Sequence, residues 1–427
     1  MGMSEQNTEK NNSAKSSSNG LRAVWSLVIF FVSAARDLLI LWSPRFLIRL
    51  FLPKGSFAFL IHPRDLTDIR RRFPMTRHLP PEWVEWISSH LWPVLVSRIT
   101  GLRSMATGEE KTGYIVAHAL TPKQMHFDKR LAKQRILQTV NLADKLGCKI
   151  IGLGALSASM SKGGEYLIDK VDMGVTTGYA YTAAIILQML EETARTLDVS
   201  LSRLTVAVVG AAGYMGFPCS RILAKERMVG KLLLIDRPMK QVLLEQLQRQ
   251  CSKYVTTETS SQLKSLQQAD FIIVVTNSVE ILIRSEHLKP GAVIFDDSQP
   301  RNTSEELVWQ RPDVLILDVM ACAPGVNAHF SFDFPNEDDV FTCLGETLIL
   351  AAHDWSGHFA IGHFDQKLVR QVADWGKHVG FRTADLRSFN KRVVQEKIDY
   401  IRSFYRQDQR AEGSKEPSAE SWTSRIA

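Results

Sequence analysis

The chain has 427 residues, of which 45% are hydrophobic; this is enough for two or more domains with apolar cores and excludes a fibrous or wholly disordered protein. Five scattered cysteines without a C-x-x-C pair argue against a disulfide framework and a zinc site, so no metal and a cytoplasmic location are predicted. The net charge of +7 is concentrated in residues 1–150, with 22 Lys/Arg against 11 Asp/Glu; without a nucleic-acid motif, this favours anionic lipid or an acidic protein as the partner.

The first 52 residues predict a tail followed by a membrane-associating helix. Residues 1–20 are polar and lack aromatic side chains, so a disordered tail is predicted. Residues 21–52 are mostly apolar, but the uncharged run from Ala23 to Ala35 is too short to cross a bilayer. Trp25, Trp42 and several arginines favour an amphipathic helix lying on a membrane surface, here the inner face of the cell membrane. The alternatives are a core helix of the first domain and a signal sequence, which the long polar leader disfavours.

Residues 53–200 predict an N-terminal α/β domain for the substrate. The segments "FAFLIHP", "GYIVAHAL" and "KIIGLGAL" are typical of buried strands. Between them, "RDLTDIRRRF" predicts a short helix and residues 124–146 predict one long amphipathic helix; another helix is predicted from Tyr179 to Thr196. Strand, helix and strand in this order indicate parallel pairing with a right-handed crossover.

Residues 201–325 predict a Rossmann dinucleotide-binding domain. In "LTVAVVGAAGYMGFPCSRILAKE" a β-branched strand, three glycines with G-x-x-G-x-x-G spacing and a helix follow one another. Glycines let the backbone approach a pyrophosphate, which the N-terminus of the helix stabilises. The strands "KLLLID", "ADFIIVVTNS" and "GAVIFDDSQPRN" complete a parallel sheet; a glycine-rich turn without a ligand is the alternative. The predicted cofactor-binding residues are Gly210, Gly213, Tyr214, Met215, Gly216, Asp236, Arg237, Thr276 and Asn277.

Asp236 and Arg237 favour different cofactors. A carboxylate at the end of the second strand accepts hydrogen bonds from the ribose 2′-hydroxyl and repels a 2′-phosphate, whereas an adjacent arginine pairs with that phosphate. The residues themselves therefore leave NADPH and NADH both open.

Residues 326–405 predict a helical segment with one notable cysteine, followed by a flexible tail over 406–427. In "NEDDVFTCLGETLILAAHDW" a helix is predicted to begin between Asn336 and Asp339, which places Cys343 within its first two turns. A helix N-terminus stabilises a thiolate, but four acidic side chains oppose it: Glu337, Asp338, Asp339 and Glu346. Packing and catalysis both remain open for this thiol.

The histidines do not indicate a metal site. His353, His358 and His363 are spaced by five, which on a helix sends them to different faces, so surface or capping roles are predicted. His118 ends a predicted strand and is a weak candidate for assisting chemistry.

The region from about Phe57 to Leu386 resembles the long-chain acyl-[acyl carrier protein] reductases of cyanobacterial type, which form fatty aldehydes. The resemblance is carried, in the family's order, by "FAFLIHPRDLTDIRRRF", "VTTGYAYTAA", "TVAVVGAAGYMG", "DDSQPRN", "HFSFDF" and "VFTCLGETLILAAHDW". It implies that Cys343 is the catalytic cysteine. Arg237 matches a family arginine and implies NADPH, whereas Asp236 departs from the family's small residue.

The resemblance implies a two-step reaction on a long-chain acyl thioester of carrier protein or coenzyme A. The Cys343 thiolate takes the acyl group, and hydride then reduces the new thioester to an aldehyde. Backbone N–H groups of Thr177 and Gly178 are predicted as low-ranking substrate or oxyanion contacts. A membrane-resident aldehyde and an aldehyde-consuming partner enzyme fit this chemistry.

Two other hypotheses stay open. One is a nicotinamide dehydrogenase of the shikimate-dehydrogenase type, which transfers hydride directly to a small polar substrate. The other is a membrane-tethered nucleotide-binding protein without catalysis. Fold alone does not decide among them.

Overall fold

The computed structural model describes residues 31–413, except for the side chains of Arg49 and of residues 407–413. The predicted tail over 1–20, residues 21–30 of the predicted membrane helix, and residues 414–427 lie outside the described part. The chain divides into two compact units. Unit 1 comprises Met1–Gly178, Gly325–Ser331 and Glu346–Gly362, and unit 2 comprises Tyr179–Pro324, Phe332–Gly345 and His363–Ala427. This division differs from the predicted boundaries at 200 and 325, because the chain returns to unit 1 twice.

Unit 1 is built on a five-stranded sheet of order β2-β3-β1-β4-β5, in which only the β2–β3 pair is antiparallel. Its strands are β1 (Phe57–Ile61), β2 (Val94–Arg103), β3 (Glu110–Ala117), β4 (Ile150–Leu153) and β5 (Gly174–Thr176). The helices after the N-terminal segment are α3 (Leu66–Arg72), α4 (Pro81–His90), α5 (Pro122–Phe127), α6 (Lys129–Lys145), α7 (Leu156–Met160) and α8 (Glu165–Ile168), with a 3-10 turn over Pro74–His78. Buried apolar residues fill β1 and β4, which confirms the predicted parallel core.

The single long helix predicted over 124–146 is wrong. Asp128 separates α5 from α6, and its side chain accepts hydrogen bonds from the N–H groups of Arg130 and Leu131. Thr121 and Gln124 form a capping box at the start of α5. Two local caps, each satisfying N–H groups that a helix start leaves unpaired, therefore outweigh the continuous amphipathic pattern.

The predicted continuous helix over 21–52 is interrupted. A first helix, α1, covers 31–42 within the described residues, and α2 (Arg45–Phe51) follows after Ser43 and Pro44. Proline has no backbone N–H group, so it is tolerated at the start of a helix but cannot continue the helix before it. None of the helices in the described residues is long and apolar enough to cross a membrane.

Unit 2 contains a six-stranded, fully parallel sheet of order β11-β10-β9-β6-β7-β8. Its strands are β6 (Thr205–Val209), β7 (Lys231–Ile235), β8 (Thr256–Ser260), β9 (Phe271–Val274), β10 (Val293–Asp296) and β11 (Leu315–Asp318). Strands β6 to β8 extend to one side and β9 to β11 to the other, which is the Rossmann strand order with its switch point between β6 and β9. The predicted Rossmann sheet is confirmed, and a core cluster that includes Ile272 and Ile294 packs on it.

The remaining elements of the chain are helices and short strands. The helices are α9 (Tyr179–Leu197), α10 (Gly216–Lys225), α11 (Gln241–Cys251), α12 (Glu305–Gln310), α13 (Thr342–Ala352), α14 (Gln366–His378) and α15 (Gln395–Gly413). Helix α13 starts in unit 2, and its residues from Glu346 onward belong to unit 1. The 3-10 turns are Leu201–Arg203, Pro238–Lys240, Leu263–Gln268 and Ser285–His287. The short strands are β12 (Ala321–Cys322), β13 (Asp339–Val340), β14 (Arg382–Thr383), β15 (Arg387–Ser388) and β16 (Lys391–Arg392). Helix α15 continues to Gly413, past the predicted start of the flexible tail at 406.

The predicted start of the cysteine helix between Asn336 and Asp339 is also wrong. Asp339 and Val340 pair as a strand with Cys322 and Ala321, and α13 begins only at Thr342. Asp339, which resembles a helix cap in the sequence, is therefore part of an antiparallel ladder. As a result Cys343 is the second residue of its helix, nearer to the N-terminus than predicted.

Candidate active site

The glycine turn of unit 2 follows β6 and leads into α10, as predicted. Gly210 has φ +87°, and a Cβ there would lie 2.6 Å from the carbonyl oxygen of Val275. A Cβ on Gly216 would lie 2.2 Å from the carbonyl oxygen of Gly210. Backbone thus approaches backbone at both positions, and a side chain would force the turn open.

The second strand delivers two charged residues to this turn. Asp236 accepts hydrogen bonds from the N–H of Ala212 at 2.9 Å and from the N–H of Arg237 at 2.8 Å. The Arg237 side chain is exposed, and Lys240 donates to the carbonyl of Ala212 at 3.0 Å. Lys240 therefore contacts the turn, Arg237 directly follows Asp236 in the chain, and the Asp236 carboxylate is held by backbone donors. Lys240 was missed by the sequence analysis; its signal is its place one turn after the second strand.

The loop after β9 is tied to the loop after β10. Thr276 hydrogen-bonds Asn302 through its hydroxyl, and that oxygen also accepts the N–H of Ser278 at 3.0 Å. Asn302 is fully buried and donates to the carbonyls of Ser278 and Glu280 at 3.1 and 2.9 Å. Thr276 and Asn277 are thus placed at the carboxyl end of the sheet, where ligands of such sheets lie. Asn302, which supports this loop, was not among the predicted site residues.

Aromatic rings line the same edge. The ring of Tyr214 lies 5.8 Å from that of His363, and the ring of Phe217 lies 5.2 Å from it, centroid to centroid. His363 is exposed, in keeping with the predicted surface role, yet it contacts the residues of the glycine turn.

His358 accepts the N–H of Val175 in unit 1 at 3.2 Å. Among the described residues no group of three or more His, Cys, Asp or Glu could hold a metal.

Cys343 differs from the other cysteines by its exposure. Cys148, Cys219, Cys251 and Cys322 are buried, whereas Cys343 is half-buried. Burial raises the pKa of Cys219 and of Cys251 to about 12, which leaves both thiols protonated and poorly nucleophilic at neutral pH. Among the five thiols, Cys343 is therefore the best placed to react.

Three other polar groups of unit 2 lie close to this thiol. The pKa of Tyr179 is raised by burial and then by interactions with Tyr214, Asp297 and Cys343. The phenol thus lies near both the glycine turn and the cysteine. Asp297 follows β10 and is hydrogen-bonded to Thr342, the residue before Cys343. The thiol, the turn and the carboxyl end of the sheet are therefore neighbours within one unit.

Aromatic side chains lead up to the cysteine. The rings of Phe332, Phe334 and Phe341 lie 4.8 to 5.8 Å apart, centroid to centroid. All three are half-buried, and Phe341 precedes Cys343 by two residues. We call these three rings the phenylalanine cluster. They form an apolar and partly accessible surface that lies close to Cys343 in the sequence. Such a surface suits an aliphatic group better than a small polar one.

The predicted contacts Thr177 and Gly178 belong to unit 1. The Gly178 N–H donates to Glu346 Oε1 at 3.0 Å, and the Thr176 hydroxyl also donates to that carboxylate. The Thr177 hydroxyl donates to the carbonyl of Ala360 at 2.7 Å. Both side chains of the pair Thr176 and Glu346 are buried. An oxyanion contact from the Gly178 N–H, as predicted, would have to replace its bond to Glu346.

The acidic cluster around the cysteine is partly neutralised. The Asp339 carboxylate lies 2.8 Å from the guanidinium of Arg387, and both side chains are buried. Burial raises the pKa of Asp339, and Arg387 acts in the opposite direction. Of the four acidic residues, then, Asp339 is ion-paired and Glu346 is hydrogen-bonded within unit 1.

Comparison with known proteins gives one family match and several similar proteins. Residues 191–319 match the shikimate/quinate 5-dehydrogenase family. The long-chain acyl-[acyl-carrier-protein] reductase of Synechococcus elongatus is 26% identical over 329 residues, which is 72% of this chain and 91% of that protein. Aminotransferase PigE of Serratia is 24% identical over 83% of this chain; the chain spans only 42% of its length. A malic enzyme of Thermotoga maritima matches with 11% identity and a TM-score of 0.41, over 88% of this chain and 89% of that one.

The dehydrogenase-family match and the reductase relative, together with the glycine turn, support a nicotinamide-dependent oxidoreductase. The residues that surround the turn fit such a cofactor: a steric cradle at Gly210 and Gly216, cations at Arg237 and Lys240, and a polar loop at Thr276.

Proposed function

We propose that this protein reduces a long-chain acyl thioester, of acyl carrier protein or coenzyme A, to a fatty aldehyde through an acyl group carried on Cys343. The observation that carries the proposal is the place of Cys343: half-buried at the start of α13, and near Tyr179, which also interacts with Tyr214 of the glycine turn. The resemblance around "VFTCLGETLILAAHDW" and the 26% identical reductase support it.

The proposed reaction has two steps. First, the Cys343 thiolate attacks the acyl carbonyl carbon, the carrier thiol leaves, and a new thioester remains on the protein. The bound nicotinamide supplies the hydride for the second step. Gly210, Gly216 and Thr276 would hold that cofactor at the carboxyl end of the sheet, and the phenylalanine cluster would shield the acyl chain from water.

The proposed cofactor is NADPH, with NADH as a second substrate. Asp236 would repel a 2′-phosphate, but its two oxygens are already occupied by the N–H groups of Ala212 and Arg237. Arg237 and Lys240 add two positive charges beside it. The net charge at the ribose end therefore favours the phosphorylated cofactor.

Intact-protein mass spectrometry tests the reaction. Mixing with palmitoyl-coenzyme A in the absence of cofactor is expected to add one palmitoyl group, and NADPH is expected to discharge it as hexadecanal. Cys343→Ala should abolish the adduct, because no other described cysteine is accessible, whereas the matched variant Cys322→Ala should retain it. Turnover of a small hydroxy acid with full activity in Cys343→Ala would instead support the dehydrogenase of the shikimate type. Cofactor binding without any adduct would support the non-catalytic alternative.

We also propose that the N-terminal helices of unit 1 rest on a membrane surface. Large apolar side chains are exposed along α1 and α2, at 85% for Trp42, 68% for Phe46 and 84% for Phe51. Large apolar side chains exposed along two consecutive helices are typical of an interaction site. The excess of basic residues in 1–150 suits anionic lipid, and an aldehyde released there would enter the bilayer directly.

Flotation with anionic vesicles tests this membrane contact. Replacing Trp42, Phe46 and Phe51 together by serine should reduce vesicle-bound protein at least tenfold, because each aromatic side chain loses its burial in the headgroup region. The matched control replaces Met239 and Val242, equally exposed apolar residues of unit 2, by serine and should leave binding unchanged. Equal binding of both variants would refute the contact.

A further inference from the structure

The reductive half of the proposed reaction needs a proton at the acyl oxygen, and one carboxyl group of unit 2 is hydrogen-bonded to the residue that precedes Cys343. Asp297 is the first residue after β10, at the carboxyl end of the sheet. Its N–H donates to the carbonyl of Val274 at 3.1 Å, which fixes its backbone against β9. Asp297 belongs to the segment "DDSQPRN", but neither the residue pattern nor the resemblance gave it a role.

Hydrogen bonds connect Asp297 to the residue next to the reactive cysteine. Its carboxyl is hydrogen-bonded to the hydroxyl of Thr342. That hydroxyl lies 2.7 Å from the hydroxyl of Thr182 on α9, and both threonines are buried. The chain Thr182, Thr342 and Asp297 therefore orients the carboxyl at the start of α13, where the next residue is Cys343.

The surroundings favour the uncharged acid. Burial, followed by the neighbouring Asp296, raises the pKa of Asp297 well above its usual range, and the hydrogen bond from Thr342 opposes this only in part. Tyr179 on α9 and Cys219 on α10 also interact with it. Burial raises the pKa of Asp296 as well, but its hydrogen bonds from Thr303, Ser298 and Asn302 oppose this rise and tie the side chain to the loop. A carboxylic acid that stays neutral near pH 7 can donate its proton to a developing oxyanion.

We propose that Asp297 is the proton donor of the reductive step, an inference that rests on the proposed acyl-Cys343 intermediate. Hydride adds to the carbonyl carbon, the C=O electron pair moves to oxygen, and Asp297 protonates that oxygen to give a hemithioacetal. The Asp297 carboxylate then takes this proton back, the C=O bond forms again, and the C–S bond breaks to release aldehyde and the Cys343 thiolate. The acyl carbon is reduced, the nicotinamide is oxidised, and the carboxyl ends as it began.

Separate measurement of the two half-reactions tests the proposal. The full chain is loaded with palmitoyl-coenzyme A and followed by intact mass spectrometry, and NADPH is then added in a rapid-quench apparatus. Asp297→Asn should acquire the palmitoyl group at a rate within threefold of the unmodified protein. Its discharge should be slower by about 100-fold or more, the usual contribution of a general acid. The discharge rate of the unmodified protein should fall at alkaline pH, whereas that of Asp297→Asn should lose this dependence.

Two further variants separate proton donation from support of the fold. Thr342→Val removes a hydrogen bond that lowers the pKa of Asp297, so the alkaline limb of the discharge profile should move to higher pH, whereas Thr342→Ser should leave it in place. Tyr179→Phe removes the neighbouring phenol as a rival proton donor, and the alkaline limb of its discharge profile should stay in place, whereas Tyr254→Phe, an exposed tyrosine of unit 2, serves as the control that retains both rate and profile. Discharge by Asp297→Asn at the unmodified rate and with the same pH profile, or loss of the alkaline limb in Tyr179→Phe, would overturn the assignment. Absence of any adduct on the unmodified protein would instead overturn the proposed function, and this inference with it.

Discussion

Replacement of Gly210 by alanine isolates the physical requirement of the glycine turn. A non-glycine residue at φ +87° costs about 1–2 kcal/mol, and the new Cβ would lie 2.6 Å from the Val275 carbonyl oxygen, which adds about 1–3 kcal/mol of overpacking. Gly380 in the same unit has φ +80° but open space around its Cβ position. Gly380→Ala should therefore cost only the first of these, about 1–2 kcal/mol.

Urea unfolding of the two variants and titration with NADPH measure this difference. Gly210→Ala should unfold at a lower urea midpoint than Gly380→Ala, because only it displaces the backbone at Val275. It should also bind NADPH at least about tenfold more weakly, since the displaced turn carries the N–H groups that approach the pyrophosphate. Equal midpoints together with equal NADPH affinities would refute the close backbone approach as the reason for glycine at this position.

Two other substitutions test the charges around the site. Arg237→Ala should raise the KM for NADPH about 10- to 100-fold and change that for NADH less than threefold, measured by steady-state kinetics with Arg249→Ala as control; equal effects on both cofactors would contradict a 2′-phosphate contact. Arg387→Met leaves the buried Asp339 carboxylate without its cation and should lower the free energy of unfolding by about 3–5 kcal/mol at pH 7.5. Because the pKa of Asp339 is already raised in the folded protein, the carboxyl is protonated as pH falls, so this loss should shrink at about pH 4.5; a larger loss at the lower pH would contradict it.

The parts of the fold that were predictable from sequence depend on local patterns. The strand before Gly210 and the helix after Gly216 are visible because β-branched residues, glycines and an apolar helix face follow one another within about twenty residues. The order of the six-stranded sheet then follows from the Rossmann pattern.

The errors arise where a distant partner or an inconspicuous cap decides the structure. Residues Asp339 and Val340 resemble the start of a helix, but they pair with Ala321 and Cys322, whose presence there cannot be seen in the segment itself. Asp128 was available as a helix cap inside an apparently continuous amphipathic pattern, and its side-chain bonds end one helix and start the next.

Only part of the candidate site could be predicted from the sequence, for the same reason. Glycines and cysteine stand out by residue type, whereas Asp297 acquires its place from Thr342 and Thr182, which are distant in the chain. Lys240 likewise gains significance only through its bond to the Ala212 carbonyl. Supporting groups of this kind have no signature spacing, because they are selected by the tertiary contacts that hold them.

The acidic residues around Cys343 had argued against a thiolate, and their positions change that balance. Asp339 is paired with Arg387, and Glu346 accepts the N–H of Gly178 and the hydroxyl of Thr176 in unit 1. The later start of α13 brings the sulfur into the first helical turn, where the partial positive charge of the N-terminus acts most strongly. The ion pair of Asp339 and the position of the sulfur at the helix N-terminus thus offset part of the repulsion that the sequence suggests.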